Sequence, residues 1–152
     1  SQVDAVLHGD DTNSTHLKIM DTPSLLQKAG LPSLPILMTA NHLKKITSTS
    51  GHGLDIETVK KLPQYITEPV MIADSLTRDD SIVLITEAID SENRPVIAAV
   101  MLNGTGTIDG QYIDANIMTS AYGKDNFQSF LNRIADSDSV IYWNKKRAKR
   151  CQ

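Results

Sequence analysis

Between Lys44 and Asp55 the chain carries a stretch rich in Ser, Thr and Gly, and within it stands a single histidine, His52. An imidazole exchanges a proton near neutral pH, and with Lys44 and Lys45 close by this is the equipment for metal-independent cleavage of a phosphodiester. Lysine does not easily replace the imidazole in that role. A lone histidine beside glycine is, taken by itself, more often an ordinary surface-loop residue, so the reading depends on other polar groups converging on the same point. Other chemistries find little support. His8 and His16 fall in a polar N-terminal arm and His42 on a helical pattern, and the four histidines have no metal-ligand spacing. Cys151 is the only cysteine and sits in a basic tail, which excludes an internal disulfide and disfavours a catalytic thiol. Gly104 and Gly106 lack the continuation of a nucleotide-binding phosphate loop. No metal and no cofactor are expected.

The elements that must position these residues change character midway. At 152 residues the chain has room for one core. Residues 1–18 read as a linker or arm and residues 19–152 as a single domain. The arm is polar and aperiodic, and the start at Ser1 suggests a piece of a longer polypeptide. Thr22 and Pro23 open a short helix through Leu25 and Leu26 that Gly30 and Pro32 close. Leu43 and Ile46 share one side of a second helix, with the lysines outward; a solvated helix face is the ordinary alternative for Lys44 and Lys45. Asp55 caps a third, running from Ile56 to about Leu62, where Pro63 should interrupt it.

Beyond Pro69 the period becomes that of strands: Val70–Ile72, Ser81–Ile89, Pro95–Leu102 and Gln111 to about Tyr122. The last alternates, with Ile113, Ala115 and Ile117 on a core side and Tyr112, Asp114, Asn116, Met118, Ser120 and Tyr122 on a largely wet one. Phe127, Phe130, Leu131 and Ile134 then mark an amphipathic helix, and Ser139–Asn144 a final strand. In that strand Trp143 goes with Ile141 as core, leaving Tyr142 and Asn144 for the open face, and a one-residue slip would exchange these roles. The fold class is α+β, with N-terminal helices packed on a twisted antiparallel sheet of four to five strands.

Several pieces in order carry a resemblance: Lys44 through His52 to Ile56, Leu62-Pro63, Glu68-Pro69-Val70, Asn116 through Ser120 and Tyr122 to Lys124, and Tyr142 through Asn144 and Lys145 to Ala148. Over residues 20 to 150 or so the chain resembles the toxin domains at the C-terminus of phage MuF-type head proteins, a group placed in the Barnase-EndoU-colicin-RelE-like (BECR) class of ribonucleases. The resemblance implies a metal-independent RNA-cleaving toxin, carried as a C-terminal module of a larger phage or secreted protein, delivered by secretion or by a virion and acting in the target-cell cytoplasm. Its implied partners are an RNA substrate (tRNA, messenger or ribosomal RNA) and a cognate immunity protein, the chain being a monomer or a heterodimer with that inhibitor. His52 then takes the general acid/base position, Ser120 and Tyr122 face it, and Lys44, Lys124, Asn144 and Lys145 lend polar or cationic support. Tyr122 or Tyr142 would stack on a base if it faces the groove. The ordinary alternatives are a strand-filling Ser120 and an edge-sealing Tyr122, and the rival function is a non-catalytic RNA- or protein-binding module of the same shape.

The bulk charge fits a local rather than a global nucleic-acid surface. A net charge of -3 argues against indiscriminate binding, whereas Lys145, Lys146, Arg147, Lys149 and Arg150 cluster near the end without an acid among them. A solvated tail is the alternative there. The longest apolar run, Val96 to Leu102, falls far short of the roughly 18 residues a membrane helix needs, so no membrane segment is expected.

Overall fold

The computed structural model describes residues 16–47 and 54–144. Along them run β1 (His16–Asp21), α1 (Ser24–Lys28), β2 (Pro35–Thr39), α2 (Ala40–Thr47), α3 (Ile56–Thr67), β3 (Met71–Asp74), β4 (Ser81–Ile89), β5 (Pro95–Ile108), β6 (Gln111–Gly123), α4 (Phe127–Asp136) and β7 (Val140–Trp143). All seven strands join one sheet in the order β1-β2-β6-β5-β4-β3-β7. The α+β class holds, but the sheet is larger than the four to five strands expected and is mixed rather than antiparallel. Strand β2 runs parallel to β6, with Ile36 opposite Asn116 and Leu37 opposite Ile117.

The two unexpected strands lie among the N-terminal helices. In β2 the consecutive residues Ile36, Leu37 and Met38 are all buried, so both faces of the strand are covered and no period shows in the sequence. β1 pairs antiparallel with β2. His16, placed in the polar arm by its sequence neighbourhood, belongs to β1, and its Nδ1 accepts the Thr107 backbone N–H at 3.0 Å. Burial lowers the His16 pKa from the usual imidazole value, which favours the neutral ring that this acceptor role requires.

Helix α3 begins as expected, the Asp55 side chain accepting the Thr58 N–H at 2.7 Å. It does not stop at Pro63 but runs on to Thr67. Pro63 removes one backbone donor and disfavours the helix locally. Ile66, fully buried one turn later, outweighs that cost by extending the stripe of Val59 and Leu62.

The sheet separates two unequal layers. On one face Leu26 of α1, Leu43 and Ile46 of α2 and Val59, Leu62 and Ile66 of α3 pack on Ile36, Ile72, Leu84, Ala98 and Met118. On the other, Phe130 and Ile134 of α4 pack on Val70, Met71, Ala73, Val83, Ile85 and Ile97. The far end of that second face is closed by the β5–β6 hairpin, which packs Ile108 and Ile113 about buried Leu37, Ala115 and Ile117. Gly106 permits this approach, because a Cβ there would run into the Leu37 side chain. Among the described residues no helix is long and apolar enough to cross a membrane.

Candidate functional site

Between α4 and the hairpin-covered end, the second face of the sheet stays open as a groove of about 350 Å³. Val83, Ile97 and Ala99 form its floor, Ser120 and Tyr122 line it from β6, Phe130 and Arg133 from α4, Lys124 from the β6–α4 turn, and Ser75 to Arg78 from the β3–β4 loop. Three of the expected site residues, Ser120, Tyr122 and Lys124, therefore come together.

A bulge in β6 makes this possible. Ala99 pairs with Ser120 but Val100 pairs with Met118, so Thr119 is an extra residue opposite no partner. It reverses the alternation. Before it, Asn116 and Met118 point to the helix-covered face; after it, Ala121 does, and Ser120 and Tyr122 turn to the groove. The expectation that Asn116, Met118, Ser120 and Tyr122 share one wet side is thus corrected. Asn116 is fully buried and works as a clasp: its Nδ2 donates to Thr22 Oγ1 at 3.0 Å and to the Pro32 carbonyl at 3.1 Å, and its Oδ1 accepts the Asn103 N–H at 3.3 Å.

The two banks are held from behind. Ser75 Oγ accepts the backbone N–H of Thr77 at 3.2 Å and of Arg78 at 3.1 Å, which folds the loop so that Arg78 reaches the groove. Asp80 pairs with Arg78 at 3.2 Å, and that hydrogen bond, with one from Ser81, lowers its carboxyl pKa. On the opposite bank Arg94 bridges Asp90 at 2.8 Å and Asp125 at 2.9 Å, and the Lys124 N–H donates to the Pro95 carbonyl at 2.8 Å. This fixes the turn that presents Lys124. Burial of the Asp90 carboxyl works to raise its pKa, but hydrogen bonds from the Arg94 backbone and guanidinium and from the Glu92 N–H prevail and lower it. Gly123 must lack a side chain, since a Cβ would collide with the Asp90 carboxylate.

The remaining site expectations divide differently. Lys44 sits on α2 in the helix layer and does not line the groove. Tyr142 faces Ile72 across β3 and β7 and packs half-buried on the main core, while Trp143 is 48% exposed and Ile141 39% exposed. The expected roles of Tyr142 and Trp143 are therefore exchanged. Asn144, at the end of β7, donates its N–H to the Val70 carbonyl at 2.8 Å and lies off the groove. His52 and Lys145 lie outside the described residues. The flanks of the His52 connector, Ile46 and Leu54, are buried in the main core and joined by a hydrogen bond from Leu54 N–H to the Ile46 carbonyl.

Arg78 and Arg133 are groove residues that the sequence reading missed. Arg133 follows Phe130 by one helical turn, so its position beside the apolar stripe of α4 was a usable signal. For Arg78 none existed, because only the sheet pairing brings its loop to β6. In sum the groove can bind an anion and offers hydroxyls beside an apolar floor, whereas among the described residues no three of His, Cys, Asp and Glu converge as a metal site.

Comparison with known proteins gives one family. The family model of the phage MuF-C-terminal domain matches residues 43–150, and the chain belongs to that family. No curated protein and no solved structure matches it.

Proposed function

We propose that this member of the phage MuF-C-terminal domain family is a metal-independent endoribonuclease of the BECR class, acting as a toxin on RNA in a target cell. The observation that carries the reading is the convergence of Ser120, Tyr122 and Lys124 with Arg78 and Arg133 in one groove. Cutting RNA through its own 2′-hydroxyl requires three things: removal of that proton, accommodation of the negative charge on a five-oxygen phosphorus, and protonation of the departing 5′ oxygen. In this reading His52 moves the protons, the groove cations meet the charge, and Ser120 and Tyr122 contact the reacting nucleotide. The attacking 2′ oxygen displaces the 5′ oxygen, so the products carry a 2′,3′-cyclic phosphate and a 5′-hydroxyl. A cognate immunity protein with an acidic face would protect the producing cell by covering the cluster from Lys145 to Arg150.

The test is to induce the wild-type chain and His52→Ala in a bacterium and to incubate the purified proteins with total RNA in chelator. Wild type should degrade RNA to cyclic-phosphate ends, and the alanine variant should be slower by about 10²-fold or more. Equal cleavage by both removes His52 from the reaction. A second reading, a binding module that cuts nothing, is favoured by one feature: the described groove lining contains no imidazole and no carboxylate. It predicts that wild type binds RNA in the same assay and leaves it intact.

A further inference from the structure

We propose that Lys124 and Arg133, gathered around the ring of Phe130, and Arg78 on the opposite bank form a phosphate track that seats the backbone of one unpaired strand across the groove, leaving Tyr122 and the apolar floor for a base. This rests on the reading of the groove as an RNA site. Lys124 Nζ lies 5.4 Å and Arg133 Cζ 5.9 Å from the Phe130 ring centroid. The ring attracts each cation, and two like charges brought to one ring repel each other. Neither cation has a carboxylate partner among the described residues, although Arg78 and Arg94 nearby both do. An anion between them completes the arrangement. Phe130 is buried at the base, so the platform that carries both charges is fixed before any ligand arrives. Arg78 is different. Its guanidinium is held by Asp80 through Nε at 3.2 Å and Nη2 at 3.3 Å, which compensates part of its charge and sets it as the weaker end of the track.

The size of the groove selects the strand. About 350 Å³ is room for one nucleotide between the rim and the floor. In a paired A-form helix the bases are stacked and turned inward, so only an unpaired strand can give phosphates to the rim and a base to the floor together.

Binding of a 2′-O-methyl octanucleotide, which cannot be cut through its own 2′-hydroxyl, tests this by fluorescence anisotropy as salt is raised. Each phosphate contact to a single strand contributes about 0.7 to the slope of log K against log salt. Arg133→Gln and Lys124→Gln should each flatten the slope by about that amount, Arg133→Lys should restore it, and Lys28→Gln on α1 should leave it alone. Unchanged slopes in both glutamine variants, or equal affinity for duplex RNA, overturn the track while leaving the nuclease reading in place if wild type still cuts RNA. A wild-type protein that neither binds the oligonucleotide nor cuts RNA overturns both.

Discussion

The two faces of the sheet are built from the same strands and end in opposite states. Toward α1, α2 and α3 the surface is sealed: Leu84, Ala98, Met118 and their neighbours are buried, and buried polar groups are satisfied, Asn116 through three side-chain hydrogen bonds and the Thr86 hydroxyl through the Val96 carbonyl. Toward α4 only part of the surface is covered, and hydroxyls and cations line what is left. A single bulge, with Thr119 as its unpaired residue, decides on which side of this division Ser120 and Tyr122 fall. Sheet faces are thus distinguished less by composition of a strand than by where its alternation is broken.

The largest disturbance of that division should come from Met118→Asp. That change puts an unpaired carboxylate into the sealed face, where Met118 is 1% exposed, and stability in urea should drop by about 3 kcal/mol or more, whereas Ser120→Asp, two residues on but across the bulge, faces the groove and should cost about 1 kcal/mol or less. Equal losses in the two variants would mean that the bulge does not set the two faces. Next, Leu84→Ala and Ile97→Ala compare the faces directly, because these buried residues lie on opposite sides of the central strands. The cavity at Leu84 is closed and should cost about 3 to 4 kcal/mol, whereas the one at Ile97 opens toward the groove and should cost about 2. Equal losses would show that the groove face is as tightly closed as the other. Asn116→Ala should remove about 1 to 2 kcal/mol, since it deletes three hydrogen bonds, of which the one to Thr22 Oγ1 is fully buried.

The smallest effect is in pH. Asp90 has a folded pKa below its ordinary value, so its contribution is present above the unfolded pKa and is lost as pH falls through the folded one. Thermal melts of wild type and Asp90→Asn should differ most near neutrality and converge as pH falls below about 4. A gap that persists undiminished at low pH would mean that the carboxylate charge is not what holds the Lys124 turn.

Much of the frame was legible in local signals. Asp55 caps α3 as its type and place suggest, β4 and α4 start where their periods start, and β6 runs over nearly the expected span. What the sequence concealed depends on distant pairing. β2 has no period because it is covered on both faces, and its partner β6 lies far along the chain. The four-residue β7 alternates either way, and only the opposition of Tyr142 to Ile72 fixes which ring goes inward. For the site, Ser120, Tyr122 and Lys124 were found through the resemblance, while Arg78 was hidden because its loop meets β6 only in the folded sheet.

One consequence concerns the β1–β2 ribbon, which precedes the family match beginning at residue 43. It occupies the hydrogen-bonding side of β6 near Asn116 and Ile117. A fragment trimmed to the matched segment would bare that strand's margin and the apolar groups that Leu37 shields. Such a fragment should self-associate, and solubility rather than activity would then be the first property to fail.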